Sequence, residues 1–227
     1  MKKFLLAIAS LFVVMGSANA SNVDKIEFAN KGQFTLGAEV GVPPRTDNAN
    51  MPFIGVDAMW GLADGFIHTK TFGNNGAIDL GLQVGYTHWG DHVDAYNGIV
   101  GLKYRWRTWE LPINVRAGFH FEFVKHLDVY AGLQGGVAIY HWRNKFIVDN
   151  DAAQTIQKHL DESGIYDGKK DSGTDTDGIF GMYVGAKWYF TDVFGVKAEY
   201  SGDWICNEPN GHANNLPYFA VGVTFNF

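Results

Sequence analysis

The chain has 227 residues, of which 28 are glycine and 15% are aromatic, and its formal net charge is −6. A surface that binds nucleic acid needs an excess of Lys and Arg, so this charge argues against nucleic acid as a partner. Beyond residue 20 the sequence has no run of 18 apolar residues, which excludes a helical membrane protein. The length fits one domain.

The N-terminus has the pattern of a secretory signal. Two lysines precede an apolar run at residues 4–15, and the small residues Ala18 and Ala20 follow it. A charged start, a short apolar core and an Ala-x-Ala site are typical of a signal peptide that is removed on export. We therefore predict a signal peptide over residues 1–20, an N-terminal lead over 21–31 and a single domain over 32–227.

The domain is a succession of segments in which apolar side chains alternate with small or polar ones. A strand has a side-chain period of two, so each segment predicts a strand with one apolar and one polar face. A tilted strand needs about ten residues to cross the hydrocarbon layer of a membrane. In chain order the segments are 33–42, 53–62, 77–89, 110–123, 127–142, 179–190, 194–204 and 217–227. They predict an all-β fold, an antiparallel up-and-down transmembrane β-barrel of eight strands.

The connections in the second half of the chain support this topology. Barrels of this kind alternate short periplasmic turns with long outer loops. Residues 124–126 and 191–193 form short connections, whereas 143–178 and 207–216 form longer ones.

The first half fits less well, because residues 63–76 are long for a turn and residues 99–107 look like a strand. We interpret 99–107 as an extension of the fourth strand above the membrane, with a bend at Leu111-Pro112. If 99–107 crosses the membrane by itself, with a partner near 66–72, the barrel has ten strands instead of eight.

Two motifs resemble those of a known family. One is Leu127-Asp128-Val129-Tyr130-Ala131-Gly132-Leu133, and the other is the last strand, in which one face carries Phe219, Val221, Val223, Phe225 and Phe227. Together with the eight segments, they resemble the small outer-membrane β-barrel family, the OmpA/OmpX-like group of porin-family proteins in the Gram-negative cell envelope. The resemblance covers residues 32–227.

That resemblance implies a location in the outer membrane, with membrane lipid and lipopolysaccharide as neighbours. It also implies that the apolar face of the last strand is an assembly signal, read by the barrel-assembly machinery. The family includes adhesins, structural barrels, small channels and a few enzymes, so the fold leaves the function open.

The polar faces of the segments carry charges of both signs. An eight-stranded barrel is just wide enough for side chains to fill, so we expect these charges to pair across a closed lumen. The predicted lumen charges are Glu39, Asp57, Asp79, Arg116, His120, Glu122, Lys187, Lys197 and Glu199, with Asp128 and Asp203 on the same faces. A filled lumen favours a monomeric, non-enzymatic barrel that anchors surface loops and contributes to envelope integrity or surface contact. The alternative is a narrow channel for ions or small solutes.

Other candidate sites are weak, and we predict no catalytic residue, cofactor or metal. His212 suggests a lipid A-modifying enzyme, but no nucleophilic Ser stands beside it, and the single cysteine, Cys206, is expected to be inert. The acidic run 171–178 resembles part of a calcium loop but lacks the Glu that such a loop needs at its last position. Residues 151–162 have apolar side chains at helical spacing. We therefore expect a helix within the loop 143–178, which is a candidate for binding a surface ligand.

Overall fold

Eight antiparallel strands form a closed ring in the part of the chain that the structure describes. The structure is a computed structural model and describes residues 26–42, 49–94, 102–148, 151–162, 172–205 and 216–227. The strands are β1 (Phe34–Val42), β2 (Ala49–Thr69), β3 (Gly73–Val93), β4 (Leu102–Val124), β5 (Leu127–Val148), β6 (Ser172–Tyr189), β7 (Phe194–Ile205) and β8 (Leu216–Asn226). A helix, α1 (Asp151–Glu162), lies between β5 and β6. The predicted signal peptide, Cys206 and His212 lie outside the described residues.

The ring closes between its first and last strands. Each strand pairs with its neighbour in sequence, and β1 also pairs with β8 over Thr35–Val42 and Phe219–Asn226. At the end of this seam, the Phe34 amide donates to the Phe227 carbonyl at 3.1 Å, and the Phe227 amide donates to the Phe34 carbonyl at 2.8 Å. The predicted eight-stranded barrel is confirmed.

The ten-stranded alternative is wrong. Residues 102–107 are continuous with the rest of β4, and they pair with β3 and β5 as an extension of the same strand. At the position of the predicted bend, Pro112 has no N–H to donate to a neighbouring strand. Pro112 remains in register with Ala138 of β5, but the pairing of β4 with β3 is interrupted between Glu110 and Ile113.

Several strands are longer than the sequence predicted. β2 and β3 continue through most of 63–76 and leave only residues 70–72 as a turn. The predicted loop 143–178 is also shorter, because β5 extends to Val148 and β6 begins at Ser172. The acidic run that resembles a calcium loop is therefore mostly strand. The predicted helix in this region is confirmed as α1.

The two ends of the barrel differ in their connections. Turns at 70–72, 125–126 and 190–193 lie at the end where the N-terminal lead enters, and the longer connections lie at the opposite end. Short turns face the periplasm in barrels of this kind and longer loops face outward. We call these the periplasmic end and the outer end. Among the described residues, no helix is long and apolar enough to cross a membrane.

Neighbouring strands approach so closely at some inward positions that only glycine fits. A Cβ atom added at Gly136 would fall on the Ile113 carbonyl oxygen, whereas at the adjacent Gly135 the nearest atom, the Ile179 carbonyl oxygen, is 3.6 Å away. Gly136 faces the lumen and Gly135 faces outward, because successive residues of a strand point to opposite sides.

Gly136→Ala is expected to lower the free energy of unfolding by about 1–3 kcal/mol, because β4 or β5 must shift to admit the methyl group. Gly135→Ala is the matched control, expected to change it by less than about 0.5 kcal/mol. Urea unfolding of both variants from lipid vesicles measures the difference. Equal losses in the two variants would contradict the close approach at Gly136.

Candidate functional site in the barrel lumen

The middle of the lumen holds buried ion pairs contributed by β1, β2, β4 and β7. The Lys197 ammonium lies 3.0 Å from Glu39 Oε2 and also contacts the Asp57 carboxylate. Arg116 Nη2 lies 2.7 Å from Glu199 Oε1. All five side chains are buried. In the closed ring, β7 lies two strands from β1 and three strands from both β2 and β4, so each pair joins strands that are not neighbours and its side chains reach across the lumen.

Tyrosines fill the space around these ion pairs. The Tyr130 hydroxyl donates to Glu199 Oε2 at 2.9 Å, and the Arg116 guanidinium lies 3.6 Å from the centre of the Tyr183 ring, close enough for a cation–π contact. A cavity of about 10 Å³ is lined by these four residues and their neighbours, which is room for about one water molecule. The centre of the barrel is therefore packed with side chains.

A second cluster, centred on a histidine, lies nearer the periplasmic end. His120 Nε2 lies 2.8 Å from Asp79 Oδ2, and its Nδ1 lies 2.8 Å from Asp128 Oδ2. Lys187 approaches the same Asp128 oxygen at 3.9 Å. Both ring nitrogens of His120 face a carboxylate, an arrangement suited to an imidazolium, which has two donors.

Amides surround a carboxylate nearer the outer end. Asp203 accepts hydrogen bonds from Asn114 Nδ2 at 3.1 Å and from Gln134 Nε2 at 2.6 Å. Gly181 lies between Gln134 and Asp203 in the register of β5, β6 and β7. A Cβ atom there would meet the Asp203 carboxylate, so the absence of a side chain at Gly181 lets Gln134 reach across it.

The N-terminal lead closes the periplasmic end. Phe28 stacks on Tyr189 with ring centres 3.7 Å apart, while Ile26 and Ala29 pack with Ala77. The Glu27 amide donates to Glu122 Oε2 at 2.7 Å. The His126 amide donates to the other oxygen of that carboxylate at 3.0 Å. Glu122 is thus held by backbone N–H groups at the periplasmic end, apart from the ion pairs.

The outer wall has the opposite character to the lumen. Every strand exposes large apolar side chains on this wall, with exposed fractions that reach 56% for Val56, 54% for Leu82 and 56% for Val221. A soluble monomer rarely exposes a contiguous apolar surface of more than a few hundred Å². A polar, packed interior inside an apolar wall is the arrangement of strands that cross a lipid bilayer. The described residues form a small eight-stranded β-barrel with the outer surface of a transmembrane barrel.

Solved structures of similar fold include barrels of the outer membrane. The N-terminal β-barrel domain of Pseudomonas aeruginosa OprF is 16% identical, with a TM-score of 0.47 over 87% of this chain and 98% of that one. Outer membrane protein W of E. coli is 13% identical, with a TM-score of 0.43 over 87% and 99%. The attachment invasion locus protein Ail of Yersinia pestis is 9% identical, with a TM-score of 0.41 over 87% and 99%. No protein-family model and no curated protein matches the sequence.

The structure places all nine predicted lumen charges, together with Asp128 and Asp203, at buried positions inside the ring. Eight of the nine belong to the two clusters of ion pairs, and Glu122 lies at the N-terminal lead. Sequence reasoning missed Glu110, which is 1% exposed. It also missed five buried tyrosines: Tyr130, Tyr140, Tyr183, Tyr189 and Tyr218. Alternation along the strand could have revealed them. Tyr130, for example, is two residues from Asp128 and therefore lies on the same inward face.

Leu127 departs from the alternation of β5, because its side chain is 4% exposed although it has the same parity as the lipid-facing Leu133. Leu127 is the first residue of β5, next to the turn at 125–126. Alternation along a strand does not determine how a residue at its end packs.

Lys197→Met is expected to lower the free energy of unfolding by about 3–5 kcal/mol, because Glu39 and Asp57 lose their shared cation inside the barrel. Lys125→Met is the control, since that lysine is 55% exposed and pairs with Glu27 at 3.3 Å. An exposed pair contributes no more than about 1 kcal/mol. Urea unfolding from vesicles compares the two variants, and a Lys197 variant as stable as the Lys125 variant would show that the buried pairs are dispensable.

Proposed function

We propose that the protein is a non-enzymatic, monomeric membrane anchor, a filled barrel that holds its outer loops at the cell surface and contributes to envelope integrity or surface contact. The observation that carries this proposal is the crossing of the lumen by the Lys197 and Arg116 ion pairs, with room beside them for about one water. In this proposal, the side chains packed in the described part of the lumen block the passage of solutes. The lead residues 26–30 add a second obstruction at the periplasmic end.

A narrow channel is the competing function, and conductance distinguishes the two. The full chain, reconstituted in planar bilayers, is expected to give flat current traces over a range of voltages. Arg116→Ala/Tyr183→Ala is the comparison, because it removes two side chains that meet in the centre of the lumen. This variant is expected to show discrete current steps, which also establishes that inserted barrels can be detected.

Folding of both proteins is verified beforehand by the shift in gel migration that heating causes in folded barrels. Steady current steps from the unmodified protein, at the same insertion density as the variant, would overturn the proposal in favour of a channel.

The outer end is the part of the molecule that meets other molecules, because its strands extend beyond the apolar wall. β4, β5 and β6 form this extension together with α1, whose residues Asp151, Thr155 and Lys158 are exposed. The Ail protein of Yersinia pestis has been solved in complex with the heparin analogue sucrose octasulfate. We infer that residues 143–178 of this chain are the place where a surface ligand binds.

The last strand provides the signal for assembly in this proposal. Phe219, Val221, Phe225 and Phe227 are exposed on the outer wall and Val223 lies on the same face, so an insertion factor can read these side chains directly. β8 also pairs with β1, so the ring closes when β8 is inserted.

Phe227→Ala is expected to reduce the amount of assembled barrel in outer membranes several-fold, while refolding of the purified chain into vesicles stays nearly unchanged. Phe190→Ala is the matched control, because Phe190 is 60% exposed at the same end of the barrel but belongs to a turn. Quantitative immunoblots of membrane fractions give the cellular yield. Equal yields from both variants would refute a signal at Phe227.

A further inference from the structure

Four cations project from the outer wall at the outer end of the barrel. Arg105 and Arg107 of β4 have the same parity as the lipid-facing Val115, and Arg143 and Lys145 of β5 have the same parity as the lipid-facing Leu133. All four are exposed, whereas the intervening Thr108 and Glu110 of β4 are buried. We call Arg105, Arg107, Arg143 and Lys145 the cation ladder.

The cation ladder is arranged in cross-strand pairs of like charge. Arg105 lies opposite Lys145, and Arg107 lies opposite Arg143, in an uninterrupted register. Like charges directly opposite each other destabilise a sheet. Within the described residues, none of the four has a carboxylate within 4.0 Å. The arrangement is therefore costly unless an anion lies between the strands.

The position of the cation ladder matches the layers of a membrane surface. Below it, Trp109 and His141 stack across the same two strands with ring centres 5.5 Å apart, and below them come Ile113 and Val137 of the apolar wall. Arg107 is four residues from Leu111, about 13 Å along the strand and about 10 Å in height once a strand tilt of about 40° is included. An aromatic step between an apolar wall and a charged layer is typical of the interface between acyl chains and headgroups.

We propose that the cation ladder binds the phosphate groups of a phosphorylated glycolipid in the outer leaflet, of the lipopolysaccharide class. Arginine presents a planar set of donors that fits phosphate oxygens, and three of the four cations are arginines. The sugar and phosphates would lie against the cation ladder, and the acyl chains would lie along the wall below Trp109. The inference rests on the membrane placement of the barrel and is independent of whether the lumen conducts.

Arg107→Gln/Arg143→Gln removes one opposed pair and tests the proposal. The full chain in neutral detergent micelles is titrated with bis-phosphorylated lipid A, and a parallel titration uses lipid A from which both phosphates have been removed. The variant is expected to bind phosphorylated lipid A roughly 10- to 30-fold more weakly than the unmodified protein, since each basic residue near a lipid headgroup contributes about fivefold. The two proteins are expected to bind the dephosphorylated lipid equally weakly.

Lys31→Gln/Lys70→Gln is the matched control, because it removes the same charge from exposed positions at the periplasmic end. Its affinity is expected to stay within about twofold of the unmodified protein if local geometry, and not net charge, governs binding. In the absence of glycolipid, the Arg107/Arg143 variant is expected to unfold at a higher urea concentration, because its like-charge pair is gone.

Each variant must keep the heat-dependent gel shift, which shows that it is folded. A loss of lipid binding can then be distinguished from a failure of the barrel to fold. Unchanged affinity of the Arg107/Arg143 variant for phosphorylated lipid A would overturn the proposal. The proposal would also be overturned if the variant lost affinity only for a soluble sulfated polysaccharide such as heparin. The cation ladder would then be a site for surface polysaccharide.

Discussion

The structure depends on satisfying the backbone hydrogen bonds of every strand that meets lipid. Hydrocarbon offers no partner to a free N–H or C=O, and each unsatisfied group costs several kcal/mol. A sheet inside a bilayer can therefore have no edge. The seam between β1 and β8, ending in the reciprocal hydrogen bonds of Phe34 and Phe227, removes the edge that a linear order of strands would leave.

Closure with eight strands then determines what the interior can hold. The ring is too narrow for a water-filled lumen, so inward side chains must interdigitate, and large residues need small ones on facing strands. Gly185 illustrates this, because a Cβ atom there would contact the Tyr130 hydroxyl. Polar side chains packed so tightly must satisfy one another, and Arg116, Glu199 and Tyr130 do so. The filled lumen thus follows from the number of strands and from the polar character of the inward faces.

The sequence predicted a strand clearly only where the segment faces lipid. The alternation at 110–123 is clear because one face meets hydrocarbon and the other a polar lumen. Residues 63–69 do not have to present an apolar face to lipid, so apolar and polar side chains do not alternate clearly there. The sequence analysis therefore assigned this part of β2 to a turn. The stacking of Phe28 on Tyr189 joins positions far apart in sequence, and no local pattern encodes it. Alternation along each strand was enough to identify the charged residues of the lumen. It could not identify their partners, because the pairing depends on how the ring closes.

At the outer end, the same period of two places cations on the outer face of the wall and carboxylates on the inner face. The net charge of the chain therefore describes neither face. In β4, Arg105 and Arg107 face outward and Glu110 faces inward, and in β6 the residues Asp175 and Asp177 share the inward parity of Tyr183. A net charge of −6 averages over both sides of the wall. Carboxylates on the inner side dominate that sum, while the outer wall of the described β4 and β5 extensions carries cations. The net charge argues against a broad polyanion-binding surface such as nucleic acid requires, but it leaves room for a local anion site on one face of one hairpin.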